Sequence, residues 1–270
     1  MHHHRPTLKL APRPRSQLTA WAVLDRVDEA VDLLALARER LGPDLTSFEL
    51  MSRESVGLLA RHQPTRQPLP PEGPWSVLVE VSATCDEATL GERLQQLFEQ
   101  AMERALVRDV VIAGSLAQSQ ALWQVREALP LAQASAGPAL RHDIALPISA
   151  IDGFLLETNA FLTKTFEGIQ IRCFGHLGDG NLHYNMQAPE GQDAQTYLAR
   201  HQAAIHDAVW SRVVRCGGSI AAEHGIGQKM VAPLHHYKSP VALGLMRAIK
   251  QGLDPRGLFN PGRVLEGGAW

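Results

Sequence analysis

The chain predicts an α+β fold, an antiparallel sheet covered by helices in a ferredoxin-like manner. Three observations carry that expectation. Short β-rich runs alternate with segments of helical apolar spacing, and an Asp179-Gly180 step between apolar runs marks a β-hairpin. No glycine-rich strand-to-helix turn of the kind that opens parallel nucleotide-binding units is found.

Leu18 to Leu24 is a short apolar run and reads as the first strand. Val27 to Leu41 places Val27, Val31, Leu34 and Leu41 at helical spacing, and Gly42-Pro43 stops it. Thr46 to Met51 reads as a strand, and Ser52 opens a short helix toward Arg61. His62 to Pro74 is rich in Pro and Gln and reads as an exposed loop. Trp75 to Val81, dense in β-branched residues, is the clearest strand. Asp86 to Ala105 is amphipathic, with Leu90, Leu94, Leu97, Phe98 and Ala101 as a core stripe. Asp109 to Ala113 is the next strand and Leu116 to Leu129 the next helix; His142 to Leu146 is a strand that Pro147 cuts off. Ile151 to Phe166 is helical and leads to the hairpin. Asp193 to Cys216 gives a long helix ended by Gly217-Gly218, Ser219 to Ala222 is extended, and Pro240 to Lys250 forms a last helix before a turn-rich tail.

Composition narrows the function classes. With 270 residues the chain can bury a substantial core, and 26 Lys+Arg against 28 Asp+Glu leave a formal charge of -2, so no global field recommends nucleic acid or an anionic surface. Cys85, Cys173 and Cys216 form neither a Cys-x-x-Cys pair nor a disulfide framework, which points to a reducing compartment, and Cys173 is expected to be a buried packing residue. No apolar stretch reaches the roughly 20 residues that span a membrane. The expected location is cytoplasmic, with peripheral membrane association allowed. Residues 1–17 read as a tag-like start and a junction, and 18–270 as one domain.

The hairpin holds the first chemical signal. A two-residue turn at Asp179-Gly180 sets Gly178 opposite Asn181, Leu177 opposite Leu182 and His176 opposite His183. Opposed residues share a face with Cβ atoms roughly 4.5–5.5 Å apart, so the two imidazoles can grip one cation. Asn185 falls on the same face.

Further along, Glu223-His224 sits between Gly217-Gly218 and Gly225-Ile226-Gly227, where glycine lets a backbone approach another element closely. Glu223 can complete a three-ligand site with His176 and His183. Two imidazoles and a carboxylate suit Zn, Mn or Fe and leave positions open, and His224 beside them is free to act as a base. The plainer alternative is that Glu223 makes a local salt bridge and His224 caps a turn.

Gly175-His176-Leu177-Gly178-Asp179-Gly180-Asn181-Leu182-His183, Glu223-His224-Gly225-Ile226-Gly227, and Asp254-Pro255 with Asn260-Pro261-Gly262 come in an order and spacing that resemble the C-terminal half of the FAD-linked 2-hydroxy-acid dehydrogenases. That family includes D-lactate dehydrogenase, the D-subunit of glycolate oxidase and D-2-hydroxyglutarate dehydrogenase. The resemblance runs from about Thr7 to Leu265, and the stretch Thr7 to Pro14 resembles the family's interdomain junction. It implies that His176, His183 and Glu223 bind a divalent metal and that His224 takes the hydroxyl proton as hydride leaves C2 for the flavin. It further implies that Arg126, in Trp123-Gln124-Val125-Arg126-Glu127, clamps the substrate carboxylate, that Arg141 and Asn185 contact substrate, and that Asn260 reaches the flavin. The family's N-terminal FAD-binding domain has no counterpart in the sequence, so the expected partners are a small 2-hydroxy acid, a flavin-binding domain or subunit, and in addition a second copy in a homo-oligomer. Without the flavin domain the chain is expected to be inactive.

Three positions depart from the family pattern. Arg141 and Arg263 stand where the family usually has lysine, and Pro130 stands where D-2-hydroxyglutarate enzymes offer a hydroxyl, which counts against that substrate. Two other functional classes use the same residues: a metal-binding or assembly module that has lost the flavin domain, and a metal-dependent hydrolase with water in the open position.

Overall fold

The computed structural model describes residues 12–62 and 73–266. The first residues of the tag-like start, most of the 7–14 stretch and residues 63–72 of the expected loop lie outside them. In chain order the main elements are β1 (Ser16–Leu24), α1 (Val27–Leu41), β2 (Leu45–Ser52), α2 (Arg53–His62), β3 (Trp75–Ala83), α3 (Glu87–Glu103), β4 (Asp109–Ile112), α4 (Leu116–Ser135), β5 (Ala139–Leu140), β6 (Asp143–Ala145), α5 (Ile151–Thr165), β7 (Gln170–His176), β8 (Asn181–Gln187), α6 (Ala194–Arg215), α7 (Val231–Tyr237) and α8 (Pro240–Leu253). They divide into two compact units, Met1–Glu49 with Gln67–Glu127, and Leu50–Arg66 with Ala128–Trp270.

The first unit has the strand order β4-β1-β3-β2, with β1 antiparallel to both β3 and β4. That is the ferredoxin-like order, and it confirms the α+β antiparallel architecture read from the sequence. Its core draws on Trp21, Val23, Leu78 and Val79, from both faces of the sheet, and on Leu33, Leu34, Leu90, Leu94 and Leu97 from α1 and α3, all essentially inaccessible to water. At about 25 cal/mol per Å² of apolar surface, such side chains each contribute about 1.5–3 kcal/mol when fully buried. Asp86 caps α3 by accepting the Thr89 N–H at 3.0 Å, which fixes where the helix starts.

In the second unit β8 is the central strand. β7 pairs with it on one side, and β5 and β6 pair with it on the other, all antiparallel. Behind this sheet Phe154 meets the fully buried Tyr184 edge-on, with ring centroids 5.5 Å apart. Cys173 is buried, as expected, and burial pushes its thiol well above the usual range. Among the described residues no helix is long and apolar enough to cross a membrane.

Two local expectations are corrected. The helix expected to stop at Leu129 runs on through Pro130 to Ser135. Burial of Ala128, Leu129 and Ala132 along it outweighs the loss of proline's N–H. α7 and the two-residue β5 carry too little periodicity to be read from sequence. The hairpin register also differs. Phe174, not His176, is directly opposite His183, because the connection is a four-residue 3₁₀ turn rather than a two-residue type I′ turn. Gly180 alone takes the left-handed conformation there, at φ +71°, and its N–H bonds the Leu177 carbonyl at 3.1 Å. The register shifts by two residues, an even number, so the two histidines stay on one face.

Candidate metal centre

Three backbone events assemble the site. First, β7 and β8 bring His176 to within 6.0 Å of His183, ring centroid to ring centroid. Gly175 makes the crossing possible, since a Cβ there would lie 2.4 Å from the Asn181 carbonyl oxygen. Second, β6 pairs with β8 so that Asp143 stands directly opposite His183. Third, the chain leaving α6 turns back along β6. Gly217 adopts φ +75° at the helix end, as a glycine terminus requires. Ser219 and Ala145 then exchange backbone hydrogen bonds at 2.8 and 3.0 Å. A Cβ on Gly218 would lie 2.4 Å from the Ala145 carbonyl oxygen, so the close approach needs glycine. Glu223 and His224 arrive beside the hairpin by this route.

The result is a convergence of donors. One ligand atom from each of His176, His183 and Glu223 lies within 4.8 Å of the other two. His176 Nε2 is 3.6 Å from Glu223 Oε2, and His183 Nε2 is 3.3 Å from Glu223 Oε1. The His183 side chain is 14% exposed and that of Glu223 46%, so the cluster is walled on the sheet side and open on the other. The His224 ring stacks on His183 with centroids 5.5 Å apart, and its Nε2 is 3.3 Å from Glu223 Oε1. This donor set fits a divalent cation: two neutral imidazoles and one carboxylate, with room for further ligands.

Sequence reasoning missed Asp143. Its Oδ2 accepts the backbone N–H groups of Ala222, Glu223 and His224 at 3.3, 3.0 and 2.8 Å, and its Oδ1 accepts the Asn181 amide at 2.9 Å. Burial works against its charge. The His224 N–H, the Asn181 amide and the His224 and His183 rings outweigh that and hold the carboxyl below its ordinary value. The available signal was an aspartate at the start of a short apolar strand.

The remaining predicted residues are distributed as follows. Asn185 is buried on the His183 face, its Oδ1 accepting the His142 N–H at 3.1 Å and its Nδ2 donating to Gln133 Oε1 at 2.9 Å. Arg141 is exposed, two positions before Asp143. Arg126 belongs to the first unit, where its Nε donates to Glu49 Oε2 at 2.9 Å in a buried ion pair. Asn260 is left-handed, at φ +48°, and lines a groove of about 820 Å³ with Ile249, Leu253, Phe259 and Arg263. Asp254 shapes that tail: it accepts the Leu258 and Phe259 N–H groups at 2.9 Å and pairs with Lys250, whose hydrogen bond holds its carboxyl down to about 2.

Comparison with known proteins adds a family. The model of "FAD linked oxidases, C-terminal domain" matches residues 13–264. A D-2-hydroxyglutarate dehydrogenase of Stutzerimonas stutzeri is 30% identical over 259 residues, which cover 96% of this chain and 54% of that protein. The mitochondrial D-2-hydroxyglutarate dehydrogenase of Arabidopsis thaliana is 33% identical over 234 residues, covering 86% and 40%. The chain therefore spans about half the length of the curated relatives it matches. Among solved structures, p-cresol methylhydroxylase with substrate bound superposes with a TM-score of 0.65 at 12% identity, covering 94% of this chain and 54% of that one, a likeness of fold.

Proposed function

We propose, from the premise that this chain belongs to the FAD-linked oxidases through their C-terminal domain, that it is the substrate- and metal-binding part of an FAD-dependent 2-hydroxy-acid oxidoreductase. The observation that carries this reading is the convergence of His176, His183 and Glu223 with His224 stacked beside them. The names of the relatives, D-2-hydroxyglutarate dehydrogenase in plants and bacteria and a putative D-lactate dehydrogenase in Schizosaccharomyces pombe, support a 2-hydroxy acid as the substrate class.

In this reading His176, His183 and Glu223 hold the cation. When bound, a cation there would supply Lewis-acid polarisation of the substrate hydroxyl, and a flavin would supply the acceptor for the C2 hydride. The chain's own residues supply the proton path and the orientation. His224 has a carboxylate on each side, Asp143 Oδ2 3.4 Å from Nδ1 and Glu223 Oε1 3.3 Å from Nε2; with Glu223 engaged by a cation, the proton would rest on Nδ1 and Nε2 would be open to the hydroxyl proton. Arg141 offers a planar guanidinium group for the substrate carboxylate, whereas Arg126, in the first unit, is engaged in its buried pair with Glu49. Asn185, its amide orientation fixed by the His142 N–H, is the proposed substrate contact on the His183 face, and Asn260, which lines its groove, is the proposed contact to the flavin.

The flavin-binding half is the proposed partner. α8 presents Val241, Leu245, Ile249 and Leu253 at four-residue spacing, each more than 60% exposed, and Phe259 continues the stripe. An apolar surface of that extent marks a docking site, and it adjoins the groove that holds Asn260.

Calorimetry with D-lactate and D-2-hydroxyglutarate tests the reading. The chain loaded with Zn²⁺ or Mn²⁺ is expected to bind one of these acids and the metal-free chain neither. Binding unaffected by metal removal, or tight stoichiometric FAD on this chain alone, contradicts it.

A further inference from the structure

We infer that Asp143 is the positioning residue of the metal centre, favouring the Nδ1–H tautomer of His224 and fixing the place of Glu223. The inference deepens the metal reading above and rests on it. An imidazole can offer Nε2 to a cation or a proton only when its own proton sits on Nδ1, and an acceptor behind Nδ1 enforces that state. Asp143 stands behind both rings. Its Oδ2 is 3.4 Å from His224 Nδ1, while its Oδ1, 3.8 Å from His183 Nδ1, is beyond hydrogen-bond reach; both rings turn Nε2 toward Glu223 Oε1 at 3.3 Å, which competes for the proton until a cation takes that carboxylate.

The same carboxylate fixes the third ligand through the backbone. Three consecutive N–H groups, from Ala222, Glu223 and His224, converge on Oδ2 in a small anion-binding turn, and the Ala222 N–H also meets the Asp143 carbonyl at 3.0 Å. The Asn181 amide, which also donates to the Ile144 carbonyl at 3.1 Å, holds Oδ1 in place. A residue from β6 therefore ties together a ligand on β8 and the segment that carries the other ligand and the base. It touches none of the proposed reacting atoms and acts through the groups that do.

The test uses the intact chain and the Asp143→Asn variant. Zn²⁺ affinity is measured by competition with a chelating dye, with His183→Ala as the blank because it retains the histidines at positions 2–4. Histidine tautomers of the metal-free chain are read from long-range ¹⁵N–¹H NMR spectra. The amide oxygen of Asp143→Asn can still accept the backbone N–H groups, so the fold is expected to survive. Zn²⁺ affinity is expected to fall tenfold or more, and His224 to shift from the Nδ1–H toward the Nε2–H form. Should Asp143→Asn fail to fold, Asp143→Glu is measured the same way, with a loss of affinity expected because the charge moves by one methylene. A folded variant with wild-type affinity and wild-type tautomers overturns the inference. A wild-type chain that takes up no Zn²⁺ overturns the metal reading and the affinity part with it, whereas the tautomer shift reads the hold of Asp143 on His224 separately.

Discussion

Asp143 Oδ2 accepts the backbone N–H of His224 at 2.8 Å, across 81 positions of sequence. The contact makes the candidate centre a product of tertiary folding rather than of one motif. Its geometry depends on the packing of β6, β7 and β8 and on the glycines that let the backbones meet.

Gly175→Ala is expected to destabilise the protein by about 1–3 kcal/mol, the range for forcing atoms into a packed site. The new methyl group would meet backbone, the Asn181 carbonyl at 2.4 Å, and backbone cannot swing aside. Denaturant melts of the variant check this. An unchanged midpoint would mean that the hairpin crosses less closely.

The buried Arg126–Glu49 pair gives a second expectation. Removing one partner, as in Glu49→Gln, takes away the carboxylate that neutralises the buried guanidinium and should cost about 3–5 kcal/mol, whereas replacing both with apolar residues of similar volume should cost far less. A double-mutant cycle of unfolding free energies reads the difference.

A third concerns pH. Burial pushes the His142 imidazole down to about 3, the neighbouring His206 adds to the effect, and the bond to the Tyr184 carbonyl partly opposes it. The folded value lies below the ordinary 6.5, so between the two the unfolded chain binds a proton that the folded chain refuses. This part of the stability is complete above pH 6.5 and is lost as pH falls toward 3, by about 1.4 kcal/mol per pH unit. Unfolding curves at pH 7, 6 and 5 should show that slope, and His142→Gln should flatten it.

For α8, Leu245→Lys and Leu253→Lys should each change stability by no more than about 0.5 kcal/mol, because both side chains lie in solvent. The same changes should weaken association with a flavin-binding half, measured by sedimentation. A large loss of stability would show that the stripe is packed within the chain.

Much of this was legible in the sequence, for identifiable reasons. Trp75 to Val81 is dense in the β-branched residues that strands favour, and Val27 to Leu41 is closed by Gly42-Pro43, so those elements stand where the pattern put them. The site histidines were legible because parity survives an even register error: Phe174 replaced His176 opposite His183 without turning either histidine to the other face. The continuation of α4 past Pro130 was hidden because burial of Ala132 and Gln133, a tertiary effect, outweighs the local signal of proline. Asp143 was hidden for a similar reason. Its partners are backbone N–H groups about 80 residues away, and backbone groups leave no mark in a sequence.

The central claim is that His176, His183 and Glu223 form one divalent-cation site, and metal analysis of the purified chain beside its His183→Ala variant tests it most directly. One tightly held equivalent of metal in the wild type, absent from a folded His183→Ala variant, is the predicted result. Equal metal content in the two proteins would contradict the assignment.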